Sequence, residues 1–241
     1  WERETVVMWL ARLIESDITN VISSLSSAQY KWVHTFIGTS PEHLSTFSLS
    51  QEEILEHVEK RVSQIRNAWY IAEFSAEDAT RTEIDFLIEI YEKALKWWAQ
   101  ILNIPDTVWC YDVEQYTKLL EHLNEKFPHA IFSTHTHNDK SQAEQSALVS
   151  VKKKFANRIE WTLFWIWERA WNTDLSTLIP IILQDREYSD MEKNMLRGPE
   201  SDLKKKFPEL LNYMQNISGI HMRPVAPWYG YESIVNRSWI H

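Results

Sequence analysis

Short runs dense in apolar and β-branched residues alternate along the chain with longer stretches whose apolar residues recur at helical spacing. Thr5-Val-Val-Met-Trp-Leu-Ala11 reads as a short buried strand, and Ile14, Ile18, Val21 and Ile22 line the apolar face of the helix after it. Lys31 to Gly38 is a β-rich run ending in Thr-Ser-Pro, a turn signal. Ser50 followed three residues later by Glu53 is a capping-box pattern, and the helix it opens reaches about Arg66. Trp69 to Ser75 predicts a strand, and Ile84, Leu87, Ile88, Tyr91 and Leu95 predict a helix over 82–98. The alternation continues with a strand from Gln100 to Ile104, a helix from Asp112 or Val113 to about Lys126, and a strand from Ala130 to Thr136. A helix from Lys140 to Lys154, a strand from Asn157 to Phe164 and a helix from Leu175 to Leu183 complete it. After about residue 190 the rhythm gives way to charged, helical connecting structure around Phe207–Ile217, then a Pro/Tyr-rich tail.

Six strand–helix units at roughly 30-residue spacing make a parallel sheet the economical reading. Two architectures satisfy it, an open doubly wound sheet and a closed (β/α)8 TIM barrel. Polar and ionisable residues gather just after several strands: His34, Ser75 to Asp78, Asp106-Thr107, His135 to Asp139, and Glu168 to Asn172. In a barrel those strand ends converge on one mouth, where such enzymes place their sites. No G-x-G-x-x-G or P-loop pattern follows a strand, which lowers the weight of nucleotide-binding folds. The expectation is therefore an incomplete TIM barrel over residues 1–190, with about six of eight units, and a small helical linker subdomain over 191–241.

Composition narrows the class. The chain has 241 residues, 44% hydrophobic and 24% charged, as suits a globular protein with a sizeable core. A net charge of −9 argues against a general nucleic-acid surface, and no run of about 18 apolar residues predicts a membrane span. Cys110 is the single cysteine, so internal disulfides are excluded and a reducing, cytoplasmic setting is expected. Trp1-Glu-Arg-Glu shows neither an initiator Met nor a signal-peptide pattern and reads as an interior start. Two counts stand out, 13 Trp and 4 Gly.

In Phe127-Pro-His-Ala-Ile-Phe-Ser-Thr-His-Thr-His-Asn-Asp139, His135 and His137 lie two apart on a predicted strand and point to one face. Two imidazoles so placed can ligate one divalent metal, with Asn138 and Asp139 supplying oxygen atoms nearby. The same pattern also suits a solvated polar loop. Four further segments accompany it: His34-Thr-Phe-Ile-Gly-Thr-Ser-Pro41, Glu73-Phe-Ser-Ala-Glu-Asp-Ala-Thr-Arg-Thr-Glu83, Asn103-Ile-Pro-Asp-Thr-Val108 and Glu168-Arg-Ala-Trp-Asn172. Together the five resemble the 2-isopropylmalate synthase family, which includes citramalate and homocitrate synthases, from about Thr5 to His241. The resemblance implies a metal-dependent Claisen condensation of acetyl-CoA with a 2-keto acid. The 2-keto acid is 2-ketoisovalerate for 2-isopropylmalate and leucine biosynthesis, or pyruvate for citramalate. It implies His135, His137 and Asn172 as ligands of Zn²⁺, Mn²⁺ or Mg²⁺, and His34, Ser75 and Thr107 as substrate-binding residues. Glu77, near the acetyl-CoA side, and His241, in acid–base work, would be catalytic, and the full-length enzyme a homodimer. Asn172 after Glu-Arg-Ala favours isopropylmalate or citramalate synthase over homocitrate synthase.

The departures from the family pattern are equally specific. The family's Asp-Thr-Thr-Leu-Arg-Asp-Gly-Glu-Gln strand, which carries an aspartate ligand and a substrate-gripping arginine, has no counterpart here, and neither has the second strand. Lys140-Ser141 replaces Leu-Gly, and Ser146 replaces Asn, where acetyl-CoA contacts are expected. The 241 residues alone are therefore expected to be inactive, so an inactive fragment or pseudoenzyme acting as a scaffold is the competing class. Trp9, Trp98, Trp109, Trp165, Trp167, Trp171 and Trp239 stand where the family has glycine. Decay would scatter residue types rather than choose one, which points to UGA codons meaning glycine but read as tryptophan.

Overall fold

The structure, a computed structural model, describes residues 6–163, 168–184, 188, 200–221 and 230. Two compact units divide the chain, Trp1–Glu160 and Trp161–His241.

The first unit is a six-stranded parallel sheet in simple sequential order: β1 Val7–Arg12, β2 Lys31–Gly38, β3 Ile71–Glu77, β4 Ala99–Asp106, β5 Ile131–Thr136 and β6 Arg158–Ile159. A doubly wound sheet reverses its strand order part-way; this one never does, so it is an incomplete (β/α)8 barrel. Helices α1 Glu15–Ser24, α2 Pro41–Phe47, α3 Gln51–Asn67, α4 Ile84–Lys96, α5 Val113–Lys126 and α6 Ala143–Lys152 fill the connections.

Alternation along each strand separates two chemistries. Val33, Ala72, Phe74, Ala76, Leu102, Ile104 and Phe132 are buried in one hydrophobic core with Ile54, Val58, Val62, Ile65, Leu87, Ile90 and Leu120 of the helices. The intervening residues His34, Glu73, Ser75, Asn103 and Ser133 are buried and polar. Pairing aligns them: His34 lies beside Glu73, and Ser75 beside Asn103, which is beside Ser133. A row of polar side chains thus runs across the face the helices leave free. At the open edge of the sheet, β1 exposes Val7, Met8, Trp9 and Leu10.

Helix starts follow local chemistry. Ser50 and Glu53 make both bonds of the capping box on α3, and Asp112 with Gln115 does the same on α5. Three expectations need correction. Thr39-Ser-Pro41 opens a helix rather than only a turn, because proline fits a first helical position where no N–H bond is lost. The helix expected over 140–154 begins at Ala143, after Asn138 Oδ1 has accepted the Ala143 N–H at 3.1 Å. The strand expected over 157–164 is two residues long, β6, after which Thr162 bridges Asp174.

In the second unit, α7 Leu175–Gln184 and α8 Glu200–Ser218 enclose a small cluster of Ile179, Phe207 and Leu211. Asp174 stands before α7, its carbonyl accepting the Leu178 N–H at 3.0 Å. No helix among the described residues is long and apolar enough to cross a membrane.

Candidate functional site

His135 and His137 sit at the end of β5 and just beyond it, and their Nε2 atoms stand 3.3 Å apart. The two Nε2 atoms are thus close enough to meet one ligand atom. Two nitrogens each roughly 2.0–2.1 Å from one tetrahedral ion would themselves be about 3.3 Å apart. The spacing fits two imidazoles sharing a divalent cation. His135 Nδ1 lies 2.8 Å from Glu160 Oε2. A carboxylate at Nδ1 keeps the proton there and leaves the Nε2 lone pair for a cation, the usual arrangement behind a metal-binding histidine.

Glu160 also reaches deeper, its Oε1 lying 3.5 Å from His34 Nδ1. With Nδ1–H turned to that carboxylate, His34 Nε2 accepts from the Ser75 hydroxyl at 2.6 Å, and Ser75 Oγ accepts from Asn103 Nδ2 at 2.8 Å. The chain His34–Ser75–Asn103 is thus internally consistent, each link having a donor and an acceptor, and Glu160 faces His34 as an electrostatic neighbour. Burial lowers the His34 pKa more than the Glu160 charge raises it, so the ring is neutral in this network.

Glu73 is fully buried, and Arg158 Nη1 donates to its Oε2 at 2.6 Å. Burial and the charge of Glu160 push the Glu73 carboxyl up, against the pull of Arg158. Burial also penalises the Glu160 charge, but the His135 hydrogen bond and the nearby positive charge of Arg158 act against that, and the carboxyl is held low. One carboxyl of the pair therefore carries the charge and the other tends to keep its proton. Ligand atoms of His34, Glu73 and Glu160 lie within 4.8 Å of one another and could themselves surround a cation. Arg158 already supplies a positive charge to Glu73, so the trio reads as the charged floor beneath the histidines rather than a second metal centre.

The rim is built by the loops after β3 and β4. Glu77 ends β3, partly exposed, and its backbone carbonyl accepts the Thr39 N–H at 3.0 Å. Thr107 follows β4, and its hydroxyl accepts the Asp78 N–H at 3.0 Å, tying the two loops together. Asp106 accepts from Thr80 Oγ1 at 2.7 Å and from the Cys110 and Tyr111 N–H groups at 2.9 and 3.3 Å, which fixes the turn that follows. Asp78, fully buried, is held by the Arg81 guanidinium.

The structure thus brings together His34 and Ser75, and separately His135 and His137, while Glu77 and Thr107 stand on neighbouring strand ends. Asn172 belongs to the second unit, where it is buried and its Oδ1 has no hydrogen-bond partner among the described residues. An oxygen in that condition suits a cation ligand. His241 lies outside the described residues, as do Trp165, Trp167 and Trp239. Glu160, Arg158, Glu73 and Asn103 were not singled out from sequence as site residues. The signal was present, since Arg158 and Glu160 lie two apart and so share a strand face.

Comparison with known proteins identifies the family. The HMGL-like family matches residues 2–198. A 2-isopropylmalate synthase of Polynucleobacter asymbioticus is 36% identical over 193 residues, covering 78% of this chain and 38% of that protein. That of Hydrogenovibrio crunogenus is 32% identical over 246 residues, covering 99% and 46%. The chain spans less than half the length of these curated relatives. Among solved structures, the HMG-CoA lyase of Bacillus subtilis superposes with a TM-score of 0.69 at 12% identity, covering 91% of this chain and 72% of that one. An Acinetobacter baumannii HMG-CoA lyase in complex with coenzyme A and 3-methylmalate gives 0.69 at 10% identity, with 100% and 76% coverage; at such identities these two speak for the fold alone. This chain belongs to the HMGL-like family, among the relatives of 2-isopropylmalate synthase.

Proposed function

We propose that the protein of which these residues form part condenses acetyl-CoA with a 2-keto acid, 2-ketoisovalerate in the first instance, giving 2-isopropylmalate for leucine biosynthesis. The observation that carries the reading is the pair of Nε2 atoms 3.3 Å apart with Glu160 behind His135. His135 and His137 would hold a divalent cation, Zn²⁺, Mn²⁺ or Mg²⁺, and Asn172 is the further ligand that the resemblance implies. When bound, that ion supplies Lewis-acid polarisation of a keto oxygen and offsets the charge developing there.

The chain's own residues account for the rest. Glu160 fixes the tautomer and rotation of His135. His34 and Ser75, held to each other and by Asn103, offer a preorganised polar wall against which a keto acid is oriented. Thr107, tied to the Asp78 backbone, is the third substrate-binding residue of this reading. Glu77, partly exposed on the rim, is the base proposed to take a proton from the acetyl methyl group, and His241 its acid–base partner. Residues 1–190 would be the partial catalytic barrel and 191–241 the linker subdomain. The full-length protein would be a cytoplasmic homodimer.

The test is coenzyme A release by the full-length gene product, followed with a thiol reagent. Release that requires a 2-keto acid and a divalent metal supports the reading. A preference for pyruvate over 2-ketoisovalerate would move it to citramalate synthase. No release with any 2-keto acid would favour the non-catalytic alternative.

A further inference from the structure

Four tryptophans hold left-handed backbone: Trp69, Trp98, Trp109 and Trp171, with φ of 66°, 76°, 52° and 70°. A Cβ crowds the following carbonyl in that region, so glycine alone visits it routinely and a bulky side chain is a genuine outlier there. Among the described residues, tryptophan supplies four of the nine such non-glycine residues, though only 13 of the chain's 241 residues are tryptophan. Chance substitution would not concentrate one residue type in this way.

Their places in the fold ask for glycine independently. Trp69 is the first residue beyond the cap of α3; its N–H bonds to Arg66 O at 2.9 Å and the next N–H, of Tyr70, to Ile65 O at 3.3 Å. That reciprocal pair closes a helix through a left-handed residue, most often glycine. Trp98 occupies the same position after α4, with its N–H on Leu95 O at 3.0 Å. Gly219, with φ of 69°, is the left-handed residue directly after α8, its N–H on Gln215 O at 3.0 Å. Trp171 closes a turn onto Glu168 O at 2.7 Å, next to Asn172, and Trp109 lies in the loop that Asp106 organises. The exposed rings do little of what indoles do in proteins. Trp69 and Trp98 are 85% and 63% accessible and lie near Arg66, whereas buried aromatic area is what stabilises. Trp97, one residue before Trp98, is the contrast: its φ is −98° and it packs against the core.

We propose that residues 69, 98, 109 and 171 are glycine in the protein its own cells make, through in-frame UGA codons inserted as glycine and written here as tryptophan. Trp69 extends the set beyond the positions that resemblance suggested, and the backbone sets Trp97 outside it. Two of the four positions, 109 and 171, are in loops beside proposed site residues, so the native loops are smaller and more open than the chain as written. The inference rests on backbone geometry and stands whichever reaction the site runs.

Two readings decide it: the gene's codons, and fragment masses of peptides from the protein isolated from its source cells. The expected result is UGA at 69, 98, 109 and 171 with UGG at 97, and peptides carrying glycine at the four and tryptophan at 97. UGG at the four positions, or tryptophan in their peptides, would overturn the proposal. UGA at 97 would overturn it equally, by breaking the link between codon and backbone.

Discussion

Trp98→Gly and Trp97→Gly, at adjacent positions, should move stability in opposite directions. At 98, with φ of 76°, glycine relieves a strain worth roughly 1–2 kcal/mol, part of which its greater freedom in the unfolded chain takes back. The indole is 63% accessible, so little burial is lost. The Arg66 guanidinium, 5.3 Å from the Trp98 ring, keeps Trp69 as a second partner at 5.8 Å, which limits that loss to about 0.5 kcal/mol. The net expectation is stabilisation by about 0.5–1 kcal/mol, a rise in melting temperature of roughly 1–4 °C for a chain of this size. At 97 the ring packs against the core from ordinary backbone, and its removal should cost about 2–4 kcal/mol. Urea unfolding of the chain and the two variants, with matched slopes, gives both values. If Trp98→Gly destabilised the chain as much as Trp97→Gly, the argument from left-handed backbone would fail.

Glu160→Gln keeps a hydrogen-bond acceptor for His135 but removes the charge that holds its Nδ1 proton; Mn²⁺ affinity by calorimetry should fall roughly 10–100-fold, and unchanged affinity would show that Glu160 does not orient the ligand. Glu73 has its carboxyl pKa raised above the ordinary 4.5 by burial and by Glu160. Such a group binds its proton more tightly folded than unfolded, so its contribution to stability is complete below about pH 4.5 and is lost as pH rises through the raised folded value. The stability advantage of the wild type over Glu73→Gln, from urea unfolding at a series of pH values, should therefore shrink as pH rises. An advantage that grows with pH would contradict the assignment.

The alternation of elements was legible because parallel strands buried by helices leave continuous apolar runs, as in Ile101–Leu102 and Val33, and because the Ser50 capping box announces α3, whereas that of Asp112 shows in the structure. Helix α2 was hidden by Pro41, which marks a turn and a first helical position alike. His135 and His137 could be found because a strand's two-residue period puts neighbours-but-one on the same face. The floor beneath them could not be assembled from sequence. Glu73 and Asn103 lie on two strands and Glu160 just past a third, and only the register across the sheet shows that this acid reaches both His34 and His135. Of the seven tryptophans that resemblance marked as glycine positions, Trp98, Trp109 and Trp171 prove left-handed, whereas Trp9 stands in extended β1 where any residue fits. Trp69 needed the helix end to be seen.

The most direct test of the central reading is metal-dependent coenzyme A release by the full-length protein carrying His135→Ala or His137→Ala. Wild-type protein should release coenzyme A with 2-ketoisovalerate, lose that activity to a chelator and regain it with Mn²⁺, Zn²⁺ or Mg²⁺, while either alanine variant stays inactive after metal is restored. Release by both variants at the wild-type rate, insensitive to chelator, would contradict it.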